Sequence, residues 1–448
     1  MPMKTMEHVT QPEGRTPRKE RTPERARSKS PRIFAVEMLR LLAIVGIAIF
    51  HTFLPAFESV LGYGPRPIDP NTPISAVIGS LWAVWLVMMI KFVGAWGNHV
   101  FFMISGYFLI PRMMRDSLEP GYWRRQAGAT VRRVAQVLAT VVFYTLIMLA
   151  VDRFVMPVAS AGWKEWFLLG LEFIWVYALV VAFAPAMAWL LARVARWNAT
   201  VLVGLAIAVT MLVYALNAYV AFTSTGSFAL LDWRKWMGAL SYAVSFVLAG
   251  LVGHAMRRAR GAAVGDGRGV GRGREAGRHT ANRPLWMRSG VWAWMFVVVF
   301  AVLSTVVAWA VARGDYPLMY RLSFKSTSAF SFVLAVCSLM TAVTHVAAKH
   351  ASAARSPFRV AVQALASGIL GFYVVQSLAG ELWKPLCGRA MAPALADAAL
   401  AGAPVVRFGW LLVWFAVGAV FSIGFVVVVC VCDRCIRRPL LRALKLSR

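Results

Sequence analysis

The chain has 448 residues, of which 59% are hydrophobic and only 15% are charged, and its formal net charge at pH 7 is +29. Soluble domains carry about 25% charged residues, so this composition excludes an ordinary soluble protein and indicates an integral membrane protein. The basic residues lie mainly between apolar runs, where they set topology and meet anionic lipid, so we expect membrane lipid and no nucleic acid as a partner.

Two polar segments lie outside the apolar runs. Residues 1–32 are rich in Arg, Pro, Glu and Ser, and residues 257–284 are rich in Gly and Arg. Neither segment can bury enough apolar surface to fold. The expected organisation is a disordered cytoplasmic tail at 1–32, a membrane core at 33–256 and 291–432 with a cytoplasmic linker at 257–290, and a basic cytoplasmic tail at 433–448.

The first apolar run contains three polar side chains, Glu37, Arg40 and His51. A charge in the hydrocarbon core costs about 2.5–3.5 kcal/mol on insertion scales, so such residues usually face a protein interior or a wet cavity. Eleven residues of helix bring His51 back to within about 20° of Arg40, about 16 Å further along the axis. We therefore expect one helix face to carry a cation near one membrane surface and a proton-transfer group near the other, with both facing a common interior channel.

The apolar runs predict an all-α integral membrane protein with about ten transmembrane helices. The candidate spans are 33–54, 96–111, 131–151, 166–192, 199–221, 236–256, 291–312, 324–347, 360–380 and 408–431. The further apolar stretch 75–93 is expected to re-enter or to lie in the outer interface. If it crossed as a separate span, the basic segment after Tyr107 would be external, against the positive-inside rule. Both termini are therefore predicted to be cytoplasmic.

The second span begins with a distinctive segment, Gly97-Asn98-His99-Val100-Phe101-Phe102-Met103-Ile104-Ser105-Gly106-Tyr107-Phe108-Leu109. Together with the Arg40–His51 spacing in the first span, this segment resembles acyltransferase family 3, the bacterial membrane proteins that place acyl groups on surface glycans. The segment from Gly371 to Gln376 resembles a later family stretch. This chain departs from the family in having Gln376 where His is common and His99 where many members have an acidic residue.

The resemblance implies an O-acyltransferase in the bacterial plasma membrane, which moves an acyl group, most simply acetyl, from cytoplasmic acyl-CoA to a hydroxyl of an outer or lipid-linked glycan. Such transfer needs a base for the hydroxyl proton and donors for the oxyanion. His51 is our candidate for the base, or for a transient acyl carrier, and Arg40 for donor anchoring with Glu37 as its partner. The candidates for substrate contact are His99, Ser105, Tyr107, Glu172, Tyr373 and Gln376, and those for the donor phosphates are Arg124, Arg125, Arg132 and Arg133.

Each candidate has a structural alternative. Arg40 can snorkel to the headgroups, and His51 can be an interfacial residue without a chemical duty. His99 can cap the outer start of the second span, and Ser105-Gly106 can form a small-residue helix contact. The loop arginines can serve topology alone.

We expect no permanently bound cofactor, since acyl-CoA is a substrate, and no metal site, because the Cys432–Cys435 pair lacks a second ligand pair. A transporter or flippase of a glycan or lipid intermediate is the alternative function, and a polytopic sensor or scaffold is a third. The sequence leaves the oligomeric state open.

Overall fold

The structure is a computed structural model that describes most of the chain. The described residues are 33–63, 69, 71–158, 162, 164–223, 227–265, 284–323, 327–345 and 356–443. The predicted tail at 1–32 and the larger part of the Gly/Arg-rich linker lie outside these residues. All the described residues belong to one unit.

Eight helices of the described chain are long and apolar enough to cross a membrane. They are α1 (Phe34–Tyr63), α3 (Leu81–Asp116), α4 (Tyr122–Phe154), α5 (Glu172–Trp197), α6 (Ala199–Thr223), α7 (Ser227–Gly265), α8 (Ser289–Arg313) and α14 (Pro404–Cys432). The bent pair α11 (Pro357–Ala366) and α12 (Ile369–Leu378), with 51° between its members, and the shorter α10 (Ala329–His345) lie at the two remaining predicted spans. The predicted fold class, an all-α integral membrane protein, is confirmed.

Further helical elements join these helices. They are α2 (Ser75–Ile78), α9 (Tyr316–Ser323), α13 (Gly380–Leu400) and α15 (Arg438–Ala443), with a 3₁₀ turn at Leu285–Met287 and π-helical turns at Lys164–Leu169 and Asp433–Arg437. The π-helical turn at Lys164–Leu169 precedes α5, so the predicted span 166–192 is broken near its outer end.

Residues 81–93 do not re-enter the membrane, which was one of the two alternatives expected for 75–93, and a position in the outer interface stays a prediction. Residues 81–93 form the first part of α3, which continues unbroken to Asp116 and is about 54 Å long at 1.5 Å per residue. Gly94 and Gly97 do not interrupt the helix. A Cβ on Gly94 would lie 2.3 Å from Phe50 Cγ, so these glycines let α1 pack closely against α3. One long helix makes one crossing, so the predicted direction of every later span is unchanged.

Glycines also bring α7 close to the other side of α3. A Cβ built on Gly106 would lie 1.9 Å from the backbone oxygen of Phe246, and one on Gly253 would lie 2.5 Å from the backbone oxygen of Tyr107. Close backbone approach at small residues is how transmembrane helices gain packing without a hydrophobic driving force. Gly106 therefore makes the small-residue helix contact that was the structural alternative for this position.

Two polar segments contain more helix than the sequence indicates. Residues 257–265, at the start of the predicted linker, continue α7. Residues 433–443, in the predicted basic tail, form the π-helical turn and α15. The tail is thus anchored to the membrane core over most of its length.

Asp433 anchors this segment. It is fully buried, its carboxylate accepts hydrogen bonds from Arg437 and from the Tyr144 hydroxyl of α4 (3.0 Å), and Arg438 Nε lies 3.6 Å from it. Arg438 also donates to the backbone oxygen of Ser367, between α11 and α12. The network ties the end of α14 to α4 and to the bend between α11 and α12.

Candidate functional site

A cavity of about 440 Å³ opens at the predicted cytoplasmic end of the bundle. It lies between α1, α3, α4, α5 and α12. Its lining residues are Arg40, Phe101, Ser105, Phe108, Leu109, Arg112, Arg133, Gln136, Val137, Tyr177, Val181, Ile369 and Leu370. Apart from three arginines and a few hydroxyl or amide groups, the lining is apolar, and we call this space the donor cavity.

Arg40 and Glu37 form the predicted ion pair on α1. Arg40 Nη1 donates to both carboxylate oxygens of Glu37, at 3.0 and 3.1 Å, across one turn of the helix. Glu37 is only 8% exposed. A carboxylate at this position offsets the cost of burying the guanidinium and fixes its direction. Arg40 is thereby held at the cavity rather than extended to the headgroups.

Arg112 of α3 and Arg133 of α4 line the same cavity. The two guanidinium groups are close enough to repel one another. Within the described chain, neither forms an ion pair with a carboxylate, and Arg133 Nη1 is buried without a hydrogen-bond partner. Buried cationic nitrogens are normally paired, so the cavity presents positive charge that no carboxylate of the described chain compensates.

The other loop arginines lie elsewhere. Arg124, Arg125 and Arg132 are exposed and do not line the donor cavity. Arg125 pairs with Glu119 at 3.1 Å. Of the four arginines predicted to bind donor phosphates, only Arg133 lies at the cavity.

The sequence analysis did not identify Arg112 as a site residue, because it counted this arginine only as a topology signal. The signal that identifies it is helical spacing. Phe101, Ser105, Phe108 and Arg112 repeat at four, three and four residues, so they share one face of α3. A hydroxyl at Ser105 and a cation at Arg112 on an otherwise aromatic face mark it as the lining of a site.

Ser105 and Tyr177 meet at the wall of the donor cavity. The Tyr177 hydroxyl is hydrogen bonded to Ser105, and both Arg40 and Arg133 are near enough to the phenol to interact with it electrostatically. Ser105, which the sequence proposed for substrate contact, is thus in position to reach a molecule in the cavity.

Aromatic side chains close the inner end of the donor cavity. The ring of Phe101 lies 4.7 Å from those of Tyr177 and Tyr373, and the ring of Phe173 stacks on Tyr373 at 4.3 Å. Tyr373 is 3% exposed, and its hydroxyl has no hydrogen-bond partner among the residues that the structure describes. The candidate Tyr373 therefore lies directly behind the cavity wall.

His51 is half-buried on α1, with its ring 4.7 Å from that of Phe50. On the helix face that it shares with Arg40, the intervening Ile44 and Ile47 are fully buried in the main core. His51 does not line the donor cavity. A channel that joins Arg40 to His51 therefore stays a prediction, and in this structure packed side chains close the stretch between them.

A second cavity, of about 430 Å³, lies at the predicted outer end of α1. Thr52, the neighbour of His51, and Pro55, one turn beyond it, contribute to the wall. The remaining lining residues are Ala56, Ser59, Thr72, Pro73, Ile74, Lys384, Cys387, Gly388, Met391, Ala392, Leu395 and Trp414. We call this space the outer cavity, and His51 lies at the depth of its inner edge.

Lys91 is a further cation inside a span, which the sequence analysis did not single out. Its Nζ lies over the rings of Phe50 and Phe57, at 4.9 and 4.3 Å from their centroids. These two rings lie about 100–120° around α1 from His51. The aromatic faces stabilise the ammonium group, so Lys91 joins α3 to α1 on the side away from the His51 face.

His99 is not at the outer start of a span, as the sequence indicated, but in the middle of α3. It is fully buried, with Nδ1 2.8 Å from the Ser245 hydroxyl and Nε2 3.5 Å from the Tyr214 hydroxyl. The predicted break before residue 96 placed it at a helix end, and the continuous α3 removes that break. These contacts favour a packing role that links α3 to α6 and α7.

Three further candidates lie outside the donor cavity. Tyr107 is buried on the side of α3 that faces α7. Glu172 is half-buried as the first residue of α5. Gln376 is buried, and its backbone oxygen accepts a hydrogen bond from Trp383 Nε1 at 3.3 Å. Their contact with a substrate stays a prediction.

Comparison with known proteins identifies the family. A family model described as an acyltransferase domain matches residues 33–432. No curated protein and no solved structure matches the chain. Within the described residues, no three His, Cys, Asp or Glu side chains are grouped so that they could hold a metal ion. Because the family match spans nearly the whole chain, the protein belongs to this acyltransferase family.

Proposed function

From membership of this family, we propose that the protein transfers an acyl group, acetyl in the simplest case, from a coenzyme A thioester to a hydroxyl of an outer or lipid-linked glycan across a bacterial plasma membrane. The donor cavity carries the proposal, because three arginines converge there and only Arg40 has a carboxylate partner in the described chain. Arginine is suited to phosphate because its fork of N–H groups binds two oxygens at once.

The donor's phosphates would lie against Arg112 and Arg133, where the unpartnered Nη1 of Arg133 supplies a ready donor. The apolar remainder of the cavity suits a pantetheine arm, with Ser105 available to an amide. The nucleotide would extend out towards the exposed Arg124 and Arg132. In this arrangement the thioester points inwards, to the aromatic wall at Phe101.

His51 would act as the base. The acceptor oxygen attacks the thioester carbonyl carbon while its proton passes to the imidazole. The C–S bond then breaks, and the thiolate takes the proton back from the imidazolium, so that an ester and free coenzyme A leave. Arg40 and His51 are about 16 Å apart along α1, so the arm must span this depth. Ile44, Ile47 and Phe101 must move aside for it to pass.

The outer cavity is the proposed entry for the acceptor. It adjoins His51 through Thr52. Its mainly apolar wall also offers the indole of Trp414, the amine of Lys384 and a few hydroxyl groups. A concave, mainly apolar space with a few polar groups is the usual form of a small-molecule site. The two cavities then approach the base from opposite membrane faces.

The test is equilibrium binding of labelled acetyl-CoA to the purified protein in nanodiscs. Arg133→Gln removes a charge-assisted contact of about 1.5–3 kcal/mol, so we expect binding to weaken about 10- to 100-fold. Arg115→Gln is the matched control, since Arg115 has a side chain that is 71% exposed near the same end of α3 and it does not line the cavity. Equal weakening in both variants, or no binding to the wild-type protein, would contradict the proposal.

A further inference from the structure

The Tyr373 hydroxyl is one of nine buried side-chain polar atoms that have no hydrogen-bond partner among the described residues. It is buried among aromatic rings in the membrane interior, and no hydrogen-bond partner reaches it. A buried hydroxyl without a partner destabilises a folded protein, and phenylalanine would fill the same space without that penalty. Aromatic packing therefore explains why position 373 has a ring but not why that ring carries a hydroxyl group.

Tyr373 occupies the layer immediately behind the donor cavity. Ile369 and Leu370 line that cavity, and Tyr373 follows them by four and three residues on the same face of α12. On α5, Tyr177 lines the cavity and Phe173 lies one turn deeper, stacked on Tyr373. The Tyr373 residue thus lies about one helical turn further along α12 than Ile369 and Leu370, in the direction of the His51 end of α1.

Phe101 is the only described ring that both lines the cavity and contacts Tyr373. Its centroid is 4.7 Å from that of Tyr373 and 4.7 Å from that of Tyr177. A change in its rotamer would join the space in front of it to the space beside the Tyr373 hydroxyl. Such a change involves one side chain and needs no rearrangement of the helices.

We infer that Tyr373 is a catalytic residue that donates a hydrogen bond to the carbonyl oxygen of the acyl thioester, and that Phe101 separates it from the donor cavity until the donor enters. This inference rests on the proposed function and names the group that stabilises the oxyanion. As the acceptor oxygen bonds to the carbonyl carbon, the carbonyl oxygen gains negative charge, and the bond from the phenol strengthens. When the C–S bond breaks, that charge returns to form the ester carbonyl.

A donor aimed at the position where charge develops stabilises the transition state more than the ground state. The phenol keeps its proton throughout, so His51 remains the group that carries the acceptor proton. A buried hydroxyl without a partner among the described residues is what we expect of a group that acts on the substrate.

The test is the Tyr373→Phe variant of the full-length protein in nanodiscs, with acetyl-CoA turnover and thermal stability measured on the same sample. Removal of one oxyanion donor lowers kcat by about 100-fold in well-studied enzymes, and we expect a fall of that order with an unchanged KM for acetyl-CoA. Because the lost hydroxyl had no partner, the thermal midpoint should stay the same or rise. Tyr214→Phe is the control, since that buried phenol lies beside His99, outside both cavities, and its kcat should be unchanged.

A Tyr373→Phe variant with wild-type kcat would overturn the inference while leaving the proposed function intact. A fall in kcat that accompanies a fall in thermal midpoint would also overturn it, because that pattern marks a structural role. Failure of the proposed function has a different signature, namely a wild-type protein that neither binds nor consumes acetyl-CoA.

Discussion

Gly106→Ala should separate α3 from α7 and destabilise the whole bundle. The added Cβ would lie 1.9 Å from the backbone oxygen of Phe246, whereas Cβ contacts under 3.0 Å essentially do not occur. The two backbones must therefore move apart by about 1.1 Å, because the obstructing atom belongs to the backbone and no side chain can rotate away.

A separation of this size has a calculable effect. Moving packed atoms apart by about 1 Å forfeits about half of their attraction. The hydrogen bond between His99 and Ser245 would lengthen from 2.8 Å to beyond hydrogen-bonding distance. Overpacking costs about 1–3 kcal/mol and a lost hydrogen bond about 1 kcal/mol, so we expect a loss of about 3 kcal/mol.

The assay is the fraction of monodisperse protein that remains after heating in detergent. Gly106→Ala should lower the midpoint by about 5 °C or more. Gly204→Ala on α6 is the control, because its Cβ would meet nothing within 4 Å, and alanine in a helix gains about 1 kcal/mol over glycine. If Gly106→Ala is as stable as Gly204→Ala, the close packing of α3 on α7 is refuted.

Two further substitutions test the remaining parts of the account. Asp433→Ala leaves the buried Arg437 without its carboxylate and should lower the stability by about 3–5 kcal/mol in the same heating assay. The Asp433→Ala/Arg437→Ala double variant should lose less stability than the sum of the two single losses. Additive losses would show that the pair is not coupled. His51→Gln should lower acyl-CoA turnover by about 10²- to 10⁴-fold at unchanged donor affinity, and His254→Gln, half-buried on α7, should not. Wild-type turnover by His51→Gln would remove this imidazole from the mechanism.

The spans could be predicted from the sequence because the bilayer imposes a length and an apolarity on every crossing helix. The continuity of α3 was not predicted, because the sequence analysis treated 75–93 and 96–111 as separate segments, and no local signal shows that Gly94 and Gly97 lie inside one helix. In the structure they are contact points for α1, and only the packing partner reveals that. Helix continuity at a glycine depends on tertiary contacts rather than on local preference.

The part of the candidate site that lies within one helix could be predicted, whereas the contacts between helices could not. The Glu37–Arg40 pair follows from spacing within one helix, so the sequence contains it. Other contacts of the site are between helices that are far apart in the chain. Arg112 and Arg133 line the same cavity as Arg40, and the ring of Phe101 lies against that of Tyr373. A single sequence carries no record of such neighbours, and a basic residue near a span end looks the same whether it sets topology or binds phosphate.

The most direct measurement is an experimental structure of the protein in nanodiscs with a non-hydrolysable thioether analogue of acetyl-CoA. The account predicts that the analogue's phosphates lie within hydrogen-bonding distance of Arg112 and Arg133 and that its acyl end points past Phe101. An analogue bound in the outer cavity, or held only by the exposed Arg124, Arg125 and Arg132, would contradict it.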